Sequence, residues 1–269
     1  MSSFLLAGKN IPREGQIMMG GVQTWIHTIR TELEARGYSV TLWGHGDPLP
    51  SGRYDYGILS NIGFTEPAAD LCDKVLAISH GIVRPEAPKP HFTTAFTSEE
   101  VKERWKGVGP VLRQPIDLDF WFPSYRTGET LLHHGYRASI PPHKDAARQL
   151  GLRVDRLKYG MPEEIRASFR RAACVLATGR AAVEAMACGM PTVICDNRSK
   201  YQDCLLDPDT GGAATRNYSG RGGAIPTVVS LVQAVQEALD RDRLWWRAHA
   251  EANHDSVKIV NQILDTFGH

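Results

Sequence analysis

Residues 178–191 read Thr-Gly-Arg-Ala-Ala-Val-Glu-Ala-Met-Ala-Cys-Gly-Met-Pro and follow a short apolar run at 174–177. The spacing predicts a strand leading into a helix of small residues that can lie close to a sheet. After Thr178, the backbone N–H groups of Gly179, Arg180 and Ala181 would stand at the positive end of that helix, a disposition suited to a diphosphate. Gly179 would let a ligand approach the backbone closely. Glu184 follows just over one turn later, where a carboxylate can accept both hydroxyls of a ribose diol. An acid among small and apolar residues needs a partner to offset its desolvation. The other reading of the same residues is a buried helix with an incidental acid.

Other residues could do chemistry more conditionally. His80 precedes Gly81 at the end of an apolar run and could hydrogen-bond a substrate or take a proton, or be a satisfied structural histidine. Gly20 and Gly21 could bring a loop onto phosphates or make a tight turn. Lys102, Arg104 and Trp105, within residues 84–113 that also hold Lys89, His91 and Lys106, offer a modest basic and aromatic surface of the kind that meets nucleic acid, diluted by Glu86, Glu99, Glu100 and Glu103. Asp117-Leu118-Asp119 mimics a D-x-D metal motif, but it sits between prolines and aromatics. The histidines, including His133, His134, His249 and His254, lack the spacing that puts two ligands on one helix face, so no bound metal is expected. The glycines at 211–212 and 220–223 lack the Lys-Ser/Thr pair of a phosphate loop.

The elements that must position these residues alternate strand with helix or loop. Residues 4–7 form a strand, 8–21 a long loop, and Val22, Trp25, Ile26, Ile29 and Leu33 a helix stopped at Gly37. Strands are expected at 38–42, 56–59, 74–78, 93–96 and 110–112, with a helix over 98–105 capped by Ser98. Pro115 and Pro123 bracket a crossing segment. A second series follows: strands at 131–132, 154–159, 174–177 and 191–195, helices at 144–150, 162–172 and 180–188, and two or three amphipathic helices to close the chain. This is an α/β chain with two doubly wound halves. The expected domains are 1–115, a crossing at 116–128, a second domain at 129–250, and a C-terminal helix within 251–269 that packs back on the first.

At 269 residues with 42% hydrophobic and 23% charged residues and a net charge of +1, the chain can build two cores and is neither disordered nor polycationic. Charge alone implies no partner. The cysteines, Cys72, Cys174, Cys188, Cys195 and Cys204, form no C-x-x-C pair and fit a reducing cytoplasm. The N-terminus lacks the basic start and apolar stretch of a signal peptide, and no run is long enough to span a membrane.

Residues 184–191, Glu-Ala-Met-Ala-Cys-Gly-Met-Pro, resemble the E-A-M-A-x-G-x-P signature of retaining GT-B glycosyltransferases of the glycosyltransferase family 4 type. In the same order, Gly20-Gly21-Val22 is similar to that family's G-G-V, Ser79-His80-Gly81 to its H-G, Thr97-Ser98-Glu99-Glu100 to its S-E segment, and residues 115–123 to its N-G-V-D-x-x-x-F-x-P crossing. The resemblance implies two Rossmann-like domains facing across a cleft. It implies a nucleotide diphosphate sugar as co-substrate, no cofactor, and metal-independent transfer to an acceptor hydroxyl. Glu184 would bind the donor ribose, Gly179 would meet the diphosphate, His80 would lie at the reacting sugar, and Arg137 and Lys144 would stabilise the departing diphosphate.

Two departures stand out. The family's second glutamate, eight residues before Glu184, is Leu176 here, and the gap between Arg137 and Lys144 is longer than the family's. The acceptor is open between a glycan or lipid-linked sugar and a hydroxylated base in viral DNA. A sugar-nucleotide epimerase on the same architecture and a non-catalytic nucleotide-sugar binding module are the competing classes.

Overall fold

The computed structural model describes residues 2–11, 20–123, 128–135, 141–157, 160–195 and 212–268. Contacts divide the chain into two units, Met1–Pro115 with Ser256–His269, and Ile116–Asp255.

The first unit runs β1 (Ser3–Gly8), α1 (Gly21–Ala35), β2 (Ser39–Gly44), β3 (Tyr54–Ser60), the short α2 (Ile62–Thr65), β4 (Cys72–Ser79), β5 (Thr93–Phe96) and α3 (Glu99–Arg104). Its strands form one parallel sheet in the order β2-β1-β3-β4-β5. A parallel sheet is covered on both faces, so the buried stretches of its inner strands, residues 4–7, 58–59 and 76–78, are continuously apolar. Alternation still sorts them: Phe4, Leu6, Ile58, Leu76 and Ile78 pack with Trp25, Ile26 and Ile29 of α1, whereas Leu5, Ala7, Leu59 and Ala77 pack with Ile62 and Ala68. Helix α1 ends as Gly37 predicts. That residue has φ +84, its N–H donates to Glu34 O, and Tyr38 N–H reaches back to Leu33 O. Ser98 caps α3, its Oγ accepting from Val101 N at 3.3 Å.

The strand expected at 110–112 is instead a single bridge between Phe96 and Val111. Strand β5 ends at Phe96, and the chain passes through Thr97 to the Ser98 cap of α3. Only Phe96 remains to pair, donating to Pro110 O and accepting from Leu112 N.

The second unit runs β6 (Thr130–His134), α4 (Pro141–Gln149), β7 (Arg153–Leu157), α5 (Pro162–Arg171), β8 (Cys174–Ala177), α6 (Arg180–Ala187), β9 (Thr192–Ile194), α7 (Val228–Asp240) and α8 (Arg243–His254). Its strands are parallel in the order β7-β6-β8-β9. Residues 116–123 count with this unit, where the sequence suggests a separate crossing. Ile116 and Trp121 enter its core, and the Arg247 guanidinium of α8 donates to the carbonyls of Leu118, Trp121 and Ala187. The closing helix, α9 (Ser256–Phe267), belongs to the first unit. Residues 251–254 are the last turn of α8, so the break falls at Asp255. Ile259, Val260, Ile263 and Phe267 of α9 join the α1 side of the first core, and Arg36 donates to Asn261 Oδ1 and Val257 O. No helix of the described residues is long and apolar enough to cross a membrane.

Both sheets have a point where successive connections leave in opposite directions, between β1 and β3 in one and β6 and β8 in the other. In open parallel sheets the crevice beyond the strand C-termini at such a point is where ligands bind.

Candidate functional site

In the second unit that position belongs to residues 177–181. Strand β8 ends at Ala177, the half-buried Thr178 and Gly179 make the turn, and α6 begins at Arg180. Gly179 has φ +58 and ψ −135, a conformation open in practice to glycine alone. A Cβ there would have open space, its nearest neighbour being Asn217 O at 4.0 Å, so the backbone and not crowding requires glycine.

One expectation needs correction. The Gly179 N–H is not free, because it donates to Tyr218 O at 2.7 Å. What the turn offers a ligand is the next part of the helix start, where Ala181 stands in a first turn to which the helix supplies no carbonyl. Tyr218 and its neighbour Asn217 hold φ of +52 and +54. Left-handed backbone costs an L-residue about 1–2 kcal/mol, so the surrounding bonds must over-determine this turn.

Glu184 has a partner already. Its Oε1 accepts from Arg180 Nε at 2.8 Å, and the two side chains are only 8% and 7% exposed. Burial pushes the Glu184 carboxyl up and the Arg180 guanidinium down, each toward its neutral form. The pair interaction and nearby His134 pull Glu184 back toward ionisation. Because guanidinium holds its proton in proteins, the pair stays ionic, and it places a buried positive charge at the start of α6.

His134 was visible in the sequence only as a histidine without metal spacing. It ends β6, opposite α6, with Nδ1 2.9 Å from Leu157 O. His133 and His143 lie with ring centroids 4.8 Å apart, and His143 Nε2 is 3.3 Å from Cys195 Sγ. Burial and His133 push the His143 imidazole down to about 4. Among the described residues no group of three His, Cys, Asp or Glu could hold a metal ion. Leu176 is fully buried in the core, between His133 and Val193 on the neighbouring strands. Lys144 is exposed on α4, and Arg137 lies outside the described residues.

In the first unit, His80 follows β4. Its Nε2 is 2.9 Å from Ser60 Oγ, its ring meets Trp25 edge-on with centroids 5.2 Å apart, and its N–H donates to Glu86 Oε2 at 3.0 Å. Burial pushes the imidazole down to about 3, so it is neutral near pH 7. A ring that resists protonation this strongly is a better hydrogen-bonding group than a base.

Glu86 was legible in the sequence only as a charge that dilutes a basic surface. It is 5% exposed and accepts from His80 N–H and from Asn61 Nδ2, while Ser79 Oγ donates to its backbone carbonyl. Asn61 Oδ1 in turn accepts from Lys9 N at 3.3 Å. One carboxylate thus ties together the ends of β1, β3 and β4. Desolvation raises its pKa, opposed by those two hydrogen bonds.

Gly20 and Gly21 begin α1. Gly20 is extended (φ −156), and a Cβ on Gly21 would meet nothing within 4 Å, so neither packing nor strain demands glycine there. Of the basic and aromatic group, Trp105 donates its Nε1–H to Gly81 O at 2.9 Å, with the Arg104 guanidinium 5.5 Å from its ring. Trp105 and Lys106 line an open cleft of about 680 Å³ together with Lys89, His91 and Phe92. Lys102 and Arg104 lie outside it. Lys89 and His91 both approach Glu66, at 3.1 and 3.4 Å, which dilutes the positive charge.

No known family's sequence profile matches the chain, and no curated protein sequence does. Solved structures do match. AviGT4, a glycosyltransferase involved in avilamycin A biosynthesis, superposes with a TM-score of 0.65 at 14% identity, covering 98% of this chain and 96% of its own. The chain has the fold of the GT-B glycosyltransferases. An α-glucosyltransferase in complex with UDP and a 13-mer DNA containing an HMU base superposes with a TM-score of 0.62 at 10% identity, over 98% of this chain and 99% of the other. Another structure of an α-glucosyltransferase, in complex with UDP-glucose and DNA containing an abasic site, gives 0.58 at 10% identity over 99% of each chain.

Proposed function

We propose that this protein is a glycosyltransferase that moves a sugar from a nucleotide diphosphate sugar to an acceptor hydroxyl. The observation that carries the proposal is the start of α6. A glycine-only turn at the strand switch point leads into a helix N-terminus, with a buried guanidinium in its first turn and a buried carboxylate one turn below. Thr178, Gly179 and Ala181 border the diphosphate, Glu184 takes the ribose diol, and Arg180 supplies positive charge.

As the glycosidic bond breaks, negative charge grows on the leaving diphosphate. A fixed cation and an oriented helix end stabilise that charge more than they stabilise the bound donor, which lowers the barrier. In this reading Arg180 does much of what a metal ion does elsewhere, with Arg137 and Lys144 as further cations. Transfer is metal-independent and retaining. Leu176, being core, leaves the sugar to be read by other groups. In the first unit His80 hydrogen-bonds the reacting sugar, and Gly20 and Gly21 leave room for a ligand to approach the start of α1.

For the acceptor, the DNA in two of the similar structures supports a hydroxylated base, with Trp105 as a stacking surface and Lys102 and Arg104 as backbone contacts. A glycan or lipid-linked sugar is the other acceptor class. The four described cysteines, all buried and none in a disulfide, fit a cytoplasmic enzyme.

The test is product analysis with UDP-glucose and GDP-mannose, with and without duplex DNA containing hydroxymethylated bases. Sugar appearing on the base supports the reading with DNA as acceptor. Epimerised nucleotide sugar without acceptor would replace transfer by isomerisation, and binding without turnover would leave only a binding module.

A further inference from the structure

Residues 212–222 have no phosphate-loop signature, yet they make the hydrogen bond that fixes the start of α6. Tyr218 accepts the Gly179 N–H through its carbonyl, at 2.7 Å, and its own N–H returns to Ala213 O at 2.7 Å. The turn that presents this carbonyl holds two successive non-glycine residues, Asn217 and Tyr218, in the left-handed region. Such backbone persists only where something holds it.

The Tyr218 ring is completely buried, and its Oη lies 2.6 Å from His249 Nε2 and 3.1 Å from His254 Nε2, both on α8. A hydroxyl has one proton to give, so one histidine must accept it and the other must donate. Asn253 Nδ2 donates to His249 O at 3.0 Å and lies 3.5 Å from His249 Nδ1. Whichever imidazole donates, Oη is held between two side chains of α8.

We infer that Tyr218 is a positioning residue for donor binding: the His249 and His254 bonds to its hydroxyl hold the left-handed turn whose carbonyl sets Gly179, and through it the α6 N–H groups that face the diphosphate. This rests on the reading of the α6 N-terminus as the diphosphate site. Nothing in it requires Tyr218 to touch the ligand.

The experiment compares wild type with Tyr218→Phe, which keeps the ring and the backbone carbonyl. UDP and GDP are titrated calorimetrically, and amide hydrogen exchange is followed by NMR at Gly179 and, as a control, at Leu131 and Leu132 in β6. The expected result is affinity for the bound nucleotide about five- to tenfold weaker, as only part of the two lost hydrogen bonds is felt at the diphosphate. Gly179 should exchange faster while Leu131 and Leu132 stay as in wild type. Unchanged affinity overturns the proposal, as does weaker binding accompanied by equally faster exchange at all three amides, which marks general loosening. Wild type binding neither nucleotide removes the diphosphate reading, and the proposal with it.

Should Tyr218→Phe not fold, His249→Gln and His249→Leu make the same comparison. A Gln amide can donate to Oη or accept from it, so Gln retains binding that Leu loses; equal affinity in the two overturns the proposal.

Discussion

The Arg180 guanidinium and the Glu184 carboxylate meet at 2.8 Å one turn apart on α6, each less than a tenth exposed. A buried ion pair of this kind adds little net stability, because desolvating two charges offsets most of their attraction. Its value is local: each charge makes the other tolerable at a position where an unpaired one would be costly.

Removing only Arg180 should therefore do more harm than removing both charges. Arg180→Met leaves a buried carboxylate unpaired and should lower unfolding stability by about 3–5 kcal/mol, while Arg180→Met with Glu184→Leu should recover most of it. Denaturant melts of the two variants measure the difference. Equal stability of single and double variants would mean that the pair is not desolvated as described.

Two glycines separate backbone demand from ligand approach. Gly179→Ala imposes a side chain on a glycine-only conformation and should cost about 1–3 kcal/mol of stability as well as nucleotide affinity. Gly21→Ala meets nothing within 4 Å and should leave the melting temperature unchanged or slightly higher. Loss of activity in Gly21→Ala at full stability would locate a ligand against α1; full activity would remove Gly21 from the site.

Much of this was legible in the sequence, and the rest was hidden for physical reasons. The α6 helix, its stop at Gly189 and the Ser98 cap follow from local rules, since each depends on residues within a few positions. The Arg180–Glu184 pair was also within reach, being an i,i+4 spacing of opposite charges. Tyr218 was not, because its partners Gly179, His249 and His254 lie 31 or more residues away and nothing local marks a tyrosine for left-handed backbone. Glu86 was hidden for the same reason: only the sheet brings Asn61 and His80 to it.

Two neutral histidines, one fully and one partly buried, predict acid sensitivity. His143, at about 4, and His80, at about 3, are depressed below the ordinary imidazole value, so the unfolded chain binds more protons than the folded one between those values and about 6.5. Their contribution is complete above that window and is lost as pH falls through it. For the fully buried His143 the loss at pH 5 is on the order of 2 kcal/mol relative to pH 7. Chemical denaturation at both pH values, with His143→Phe for comparison, measures it; an equal pH slope in the variant would exclude His143 as the source.

Glu86→Gln should disturb the His80 cluster without changing its volume. The carboxylate accepts from two N–H donors, and an amide must turn its own NH2 toward one of them. The cost should be about 1–3 kcal/mol of stability, with a weaker sugar-dependent step. A variant as stable and active as wild type would mean that Glu86 does not organise the end of β4.

The central claim is that Glu184 grips the ribose of a nucleoside diphosphate held at the start of α6. Calorimetric titration of wild type and Glu184→Gln with UDP and GDP, and with their 2′,3′-dideoxy analogues, tests it directly. Wild type should prefer the ribose form of the nucleotide it binds by about tenfold or more, the worth of hydrogen bonds to a charged group, and Glu184→Gln should lose most of that preference. A wild type that binds neither nucleotide, or a Glu184→Gln variant that keeps the full preference for the diol, would contradict the account.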